Sequence, residues 1–388
     1  MLQPLKNWFS RSRSRAAIDE RLEKLRQKAP VPLIWLFGKT QSGKTSIVRF
    51  LTRANDAEIG QGFRACTRFS RKYSFPTEQA PLVRFLDTRG VDEPNYDPAE
   101  DLARFNQQAH LVVVTVKALD HAQGNMLEHL RVIRRAQPLR PIILALTCLH
   151  EAYPQQQHPA EYPFGTGREL QDVPEELART IAEQKRRFGD LVDHVVPIDL
   201  TRLEEGFAEA NYGGKRLQEV VIAALPAAYR QTLLTLEEAG TDLRDAYSNR
   251  VLPHILGYST LAATAGAFPI PWVDLLILPA IQTQMIYHLA RLYGQPLSAA
   301  RFTELASTLG LGMLLRQAAR ELMKFIPYVG SVAGGVLGAA STFALGKAFC
   351  YYYSAVHQGH VPTAEELKRY SHQQLVLAQQ KWALGGGD

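Results

Sequence analysis

The clearest chemistry in this 388-residue chain lies in eight consecutive residues, Gly38-Lys39-Thr40-Gln41-Ser42-Gly43-Lys44-Thr45. They fit the phosphate-binding pattern G-x-x-x-x-G-K-[ST], and they fit it in the required setting. The apolar run Val31 to Phe37 leads in as a strand, and Ser46 to Arg53 continues as a helix. The glycines let the backbone curl so that successive N–H groups aim at phosphate oxygens, and the helix N-terminus adds partial positive charge. Lys44 has the reach to touch β- and γ-phosphates, and the Thr45 hydroxyl is expected to ligate Mg²⁺. A glycine turn that bound nothing would not need all eight positions and both flanks to agree.

A second group of residues suits the same ligand. The apolar strand Leu82 to Leu86 ends in Asp87-Thr88-Arg89-Gly90. A carboxylate at a strand tip can hold a metal-bound water, and a glycine three residues on lets its N–H approach a phosphate without an intervening side chain. Upstream, a Gly-bearing loop from Glu58 ends in Thr67. The elements that must position these groups alternate between strand and helix. Thr67 to Phe75, Leu111 to Val116, Pro141 to Leu146 and Val195 to Leu200 read as further strands. Asn125 to Ala136, Glu175 to Phe188 and Lys215 to Leu225 read as helices. Residues 31–226 are therefore expected to form an α/β domain with a mostly parallel sheet flanked by helices.

Taken together, Gly38 to Thr45, Thr67 and Asp87-Thr88-Arg89-Gly90 resemble the TrmE/Era-like branch of P-loop GTPases. The resemblance implies GTP or GDP and Mg²⁺ as cofactors, with Thr45, Thr67 and Asp87 around the metal. It implies catalytic roles for Lys44, Thr67 and Gly90, with Thr67 in switch I and a switch II loop running from Gly90 to Pro98. Val91 stands where a Ras-type enzyme carries a water-positioning glutamine, so slow intrinsic hydrolysis or a catalytic group from elsewhere is expected. The family reads guanine with [NT]-K-x-D after the strand that ends near Leu146, whereas this chain has Thr147-Cys148-Leu149-His150-Glu151. Neutral His150 offers one acceptor rather than the two of a carboxylate. Glu151 could supply the carboxylate if the loop shifts by one. Lys117 and Asp120 stand one residue too far apart to rebuild the motif. The family's Ser-Ala after the last strand is replaced by Asp199-Leu200. The expected base contacts are thus Thr147, Cys148, His150, Glu151, Asp199 and Leu200, with guanine as the expected base and ATP still open. His150 and His158 lack the companions of a zinc site.

Composition bounds the rest. With 46% hydrophobic and 21% charged residues the chain is globular, and a formal charge of +6 is too mild at this length to indicate a nucleic-acid partner. Three widely spaced cysteines, Cys66, Cys148 and Cys350, point to a reduced, cytosolic compartment. Residues 1–30 carry eight basic side chains against three acidic ones, with Leu2, Leu5, Trp8 and Phe9 among them. This basic amphipathic segment suits an anionic membrane surface, or else a solvated tail with a helix from Ala16 to Gln27. It lacks the continuous apolar core of a secretory signal.

From Ala227 onward strand signals vanish and helical periodicity takes over. A second, all-helical and strongly hydrophobic domain is expected over 227–388, with a linker helix (227–250), a core (251–356) and a tail (357–388). The core holds only nine formal charges. Pro253 to Phe268 and Gly330 to Gly346 are nearly charge-free, and Gly330, Gly334, Gly338, Thr342 and Gly346 share one helical face, a stripe that lets helices touch backbone to backbone. Roughly 16 apolar residues span about 24 Å, short of the ~30 Å hydrocarbon core, so single spans are not the default. The runs Pro269 to Asp274, Leu289 to Gly294 and Ile326 to Gly346 resemble the YcjF-type helical domain found fused to bacterial GTPases. That resemblance implies association with the cytoplasmic face of the inner membrane. The expected partners are a guanine nucleotide, a membrane surface or membrane protein, and a second copy of the chain on nucleotide binding. Three readings stay open: a regulatory GTPase switch, a dynamin-like GTPase that self-assembles on membranes, and a pseudo-GTPase scaffold.

Overall fold

The computed structural model describes residues 12–29, 31–54, 64–65, 70–88, 105, 108–159, 161–164, 173–225, 246–267, 274–294, 331–357 and 362–384. Thr67, Arg89, Gly90, Val91, the two switch loops and residues 1–11 lie outside them. In chain order the elements are α1 (Ser12–Lys28), β1 (Leu33–Gly38), α2 (Lys44–Thr52), β2 (Arg64–Ala65), β3 (Ser70–Phe75), β4 (Val83–Thr88), β5 (Leu111–Lys117), α3 (Gly124–Ala136), β6 (Ile142–Thr147), α4 (Glu175–Phe188), β7 (His194–Pro197), α5 (Gly214–Ala224), α6 (Ala246–Ala267), α7 (Asp274–Leu292), α8 (Ser331–His357) and α9 (Ala364–Leu384). They fall into two compact units, one built from residues 31–75 and 83–234, the other from 1–30, 76–82 and 235–388.

The α/β unit holds one seven-stranded sheet in the order β2-β3-β4-β1-β5-β6-β7. β4, β1, β5, β6 and β7 run parallel, while β2 and β3 pair antiparallel at one edge. The central strands read Leu-Ile-Trp-Leu-Phe-Gly, Leu-Val-Val-Val-Thr-Val-Lys and Ile-Ile-Leu-Ala-Leu-Thr. Such uninterrupted apolar runs are what a parallel sheet covered on both faces requires. One covering helix, α4, shows how. Its buried Leu177, Ile181, Gln184 and Phe188 recur on one face, its first turn carries Glu175 and Glu176, and its last carries Lys185, Arg186 and Arg187. Charge thus complements the helix dipole at both ends while the apolar stripe packs inward. Trp35, Phe37, Val112, Val114, Leu144 and Leu146 lie in the core that this packing closes.

The helical unit is assembled from three separate stretches of chain. Leu22 and Leu25 of α1 are buried with Ile255, Tyr258, Ile281, Met285, Phe349 and Tyr353 of α6, α7 and α8, and with Ala80 of the 76–82 turn. The helix at residues 12–28 is therefore anchored by its apolar side rather than being a solvated tail. Arg26 of α1 donates from Nε to the Gln79 carbonyl at 2.8 Å. Small residues set the approach of α6 and α8. A Cβ on Gly338 would sit 2.5 Å from the Ala262 carbonyl oxygen, and one on Gly346 would sit 2.7 Å from Ile255; Gly266 and Gly334 face each other's backbones in the same way. Thr342, on the same stripe, is fully buried and accepts from Gln282 Nε2 at 3.3 Å. Among the described residues no helix is long and apolar enough to cross a membrane.

Candidate functional site

β1 ends in the phosphate loop because Gly38 runs against its neighbour β5. A Cβ on Gly38 would lie 2.8 Å from Ser42 Oγ and within contact of Thr115, so only glycine fits there. The loop then turns on two left-handed residues, Gln41 (φ 58°) and Gly43 (φ 92°), and α2 begins at Lys44. A side chain at Gly43 would be strained by that φ and would sit 3.3 Å from the Thr147 methyl. The curl is pinned from inside. Ser42 Oγ donates to the Lys39 carbonyl at 2.7 Å and meets Thr115 Oγ1 at 2.6 Å, while Thr147 Oγ1 donates to the Ser42 carbonyl at 3.0 Å.

The charged groups are held by the same framework. Lys44 is buried, and its Nζ donates to the carbonyls of Gly38 (3.0 Å) and Lys39 (2.7 Å), folded over the loop where phosphate oxygens would accept. Lys39 pairs with Asp120 at 2.7 Å across the end of β5. Thr45 is exposed at the first turn of α2. Asp87 sits two residues short of the loop in the strand register, since Leu36 of β1 pairs with Asp87 of β4 and the loop begins at Gly38. Its Oδ1 is buried with no hydrogen-bond partner among the described residues. Burial pushes the Asp87 carboxyl up to about 6, against the opposing pull of Lys44 and Arg71. A buried carboxylate with an unsatisfied oxygen beside a phosphate loop fits a divalent cation. Thr45 and Asp87 are thus suited to Mg²⁺, and the third expected ligand, Thr67, lies outside the described residues, as does Gly90.

The base end differs from the motif. After β6, Cys148 takes a left-handed turn (φ 55°) into a short 3₁₀ turn, Leu149–Ala152. His150 is clamped by Asp199, which accepts from the His150 backbone N–H at 2.7 Å and lies 2.8 Å from its Nδ1 through the same oxygen. Asp199 is buried, which raises its carboxyl, and His150 opposes that rise. The Asp199 backbone is fixed in turn by an N–H to the Tyr212 carbonyl at 2.8 Å. Phe207 meets the His150 ring edge-on at 5.1 Å between centroids. Glu151 points elsewhere and accepts from Lys117 Nζ at 3.0 Å. Leu200 is buried, and its carbonyl accepts from Arg49 at 2.6 Å. Burial also raises the Cys148 thiol, so it is not an activated nucleophile.

Sequence spacing set aside Lys117 and Asp120, yet both border this region through Glu151 and Lys39. The signal was available in the strand register: parallel pairing of β5 and β6 sets Lys117 against Thr147. Phe207 and Tyr212 were also missed, and His158 was weighed only as a zinc ligand. His158 is buried and stacks on Tyr212 at 4.0 Å between centroids, which only the folding of three loops onto one another could reveal. Among the described residues no cluster of His, Cys, Asp and Glu could hold a metal by itself.

A mostly parallel sheet with a phosphate loop after β1 and an aspartate at the tip of β4 defines a P-loop nucleotide-binding domain, here followed by helices. Comparison with known proteins agrees: residues 33–148 match the family described as 50S ribosome-binding GTPase, and residues 234–380 match a domain of unknown function, DUF697. The chain therefore joins a GTPase domain to a DUF697 domain. It is 30% identical over 129 residues to magnetosome membrane protein 22 of Magnetospirillum gryphiswaldense, a match that covers 31% of this chain and 66% of that protein, just under two thirds of its length. Solved structures that match part of the chain include the apo translation elongation factor SelB of Methanococcus maripaludis (18% identity, TM-score 0.30, 50% of this chain and 33% of that one). The FeoB G-domain of Methanococcus jannaschii is another (19%, TM-score 0.28, 50% and 97%).

Proposed function

We propose that this protein is a Mg²⁺-dependent molecular switch that binds GTP, hydrolyses it slowly and changes how its helical unit engages a membrane or membrane protein. The observation that carries this reading is that Lys44, folded over the phosphate loop, acts electrostatically on Asp87, whose Oδ1 is buried and without a hydrogen-bond partner among the described residues. Lys44 would exchange its two loop carbonyls for β- and γ-phosphate oxygens. Ser42, Thr115 and Thr147 would hold the loop rigid while that exchange occurs. Thr45 and Asp87 would hold the metal, which when bound neutralises charge on the phosphates. Val91 offers no group to orient water, which supports slow turnover. The helical unit supports the second half of the reading, because helices packed through glycine and alanine can separate or re-pair with little side-chain rearrangement. The cytoplasmic face of the inner membrane is the proposed location.

The test has two arms. Purified full-length protein is assayed for GTP turnover with Mg²⁺ and with EDTA, and for flotation with phosphatidylglycerol-containing liposomes in GDP, GTP and a non-hydrolysable analogue. Slow, EDTA-sensitive turnover with nucleotide-dependent flotation is expected. Absence of turnover would leave a nucleotide-binding scaffold, and identical flotation in every state would remove the coupling. Nucleotide-dependent sedimentation of large assemblies would favour a self-assembling GTPase instead.

A further inference from the structure

The base end of the site holds a pair of groups that its phosphate chemistry leaves without a role. Ligands of open parallel sheets sit in the crevice at the carboxyl ends of the strands. At that end, Thr147 of β6 is bonded to the phosphate loop, and three residues on stands His150, locked to the buried carboxylate of Asp199 after β7. One oxygen of Asp199 accepts both the backbone N–H and the ring Nδ1–H of His150, which fixes the tautomer. A carboxylate only accepts, so the neutral ring bonded to it holds its proton on Nδ1 and leaves the lone pair on Nε2. The ring cannot turn away, because Phe207 packs edge-on against it. Glu151, the other carboxylate in this turn, is bound to Lys117.

Resting on the GTP reading above, we infer that His150, positioned by Asp199, reads the purine through a single acceptor, Nε2, and that the site takes 6-oxopurine nucleotides whether or not they carry a 2-amino group. Guanine and hypoxanthine both present a donor at N1, and one acceptor matches it. Adenine presents a lone pair at N1 and is repelled. A carboxylate at this position would accept from N1–H and from the 2-amino group together, and would prefer guanine over hypoxanthine by the worth of one charge-assisted hydrogen bond, about tenfold or more. A lone imidazole nitrogen has nothing left for the second donor. His150 is the specificity-determining residue, and Asp199 is the positioning residue behind it.

The test is competition of GDP, IDP and ADP for a fluorescent mant-GDP complex of the full chain. GDP and IDP are expected to compete within threefold of each other, and ADP at least a hundredfold more weakly. The double variant His150→Asp/Asp199→Ser returns a carboxylate to the turn and a hydroxyl behind it, and its GDP preference over IDP is expected to rise at least tenfold. GDP binding the wild type tenfold or more tightly than IDP overturns the single-acceptor inference and leaves the GTP reading standing. So does a double variant that still binds GDP yet keeps the wild-type ratio. ADP binding as well as GDP, or no nucleotide binding at all, overturns the GTP reading and the inference together. Should the double variant fail to fold, the wild-type ranking alone decides.

Discussion

The two units achieve close backbone approach by different means, and the difference teaches where each can be altered. In the α/β unit, approach is made by a hydrogen-bonded ladder, and glycine appears where the phosphate loop leaves it: Gly38 against Thr115, Gly43 against Thr147. Among the described residues of the helical unit no ladder joins the elements, so approach rests on the absence of side chains along α6 and α8, at Gly266, Gly334 and Gly338. The first unit therefore gathers its tight glycine contacts at one end of the sheet. The second spreads its stability along a seam.

The largest expected effect follows from the first half of that contrast. Lys44→Ala should weaken Mg²⁺–nucleotide binding by a hundredfold or more, because it removes the fixed positive charge over the loop. The wild type should gain about 2.7 kcal/mol at a ligand concentration a hundredfold above Kd, and the variant none. Calorimetric titration and thermal melts measure both, and an unchanged Kd would break the assignment of the loop. Next, Gly338→Leu should destabilise the helical unit by about 1–3 kcal/mol or more, since even a Cβ would press on the Ala262 carbonyl. Hydrogen exchange should show this in α6 and α8 with nucleotide affinity unchanged; a large loss of affinity would mean the seam is not a separate liability.

Acid should act on both units in the same sense. Burial lowers the imidazole of His110, whose Nδ1 accepts the Leu33 N–H at 3.0 Å, and that of His288, where Arg291 adds to the effect. Each binds a proton more readily in the unfolded chain. Their contribution is therefore complete above the ordinary value of 6.5 and fades as pH falls below it. Urea unfolding at pH 7.5 and pH 5 should show the loss, and His110→Asn should reduce it in the α/β unit alone. The smallest effect belongs to Glu151→Ala. The Lys117–Glu151 pair is 39% and 36% exposed, so its loss should cost under about 1 kcal/mol. GTP affinity should change less than threefold. A large loss for GTP that spared XTP would instead make Glu151 the base reader.

What could be read from the sequence divides along similar lines. β1, β5, β6 and the phosphate loop were legible because each is written in consecutive residues: an apolar run, or glycines at set intervals. Strand ends shifted modestly, as with β7, expected over Val195 to Leu200 and found as His194–Pro197. The small-residue stripe was legible too, since its four-residue spacing is a property of one helix. The burial of Leu22 and Leu25 was not, because their partners lie more than two hundred residues away on α6, α7 and α8. The base end resisted for the same reason. Four replaced residues, Cys148, His150, Asp199 and Leu200, could be counted, but the exchange that places the carboxylate on Asp199, behind His150, depends on two loops meeting after β6 and β7.

The helical unit is discontinuous in sequence, and that has a practical and an evolutionary side. A fragment beginning at residue 227 or 235 would lack α1 and the 76–82 turn, and so would lose Leu22, Leu25 and Ala80 from its core. Gly257, whose missing side chain makes room for the Ala80 carbonyl, would then border an empty slot. Dissecting the protein at its apparent domain boundary should accordingly yield an aggregation-prone piece. The same reasoning limits recombination: a helical module of this kind cannot be transplanted behind another GTPase unless the host already carries a matching β3–β4 turn and leading helix.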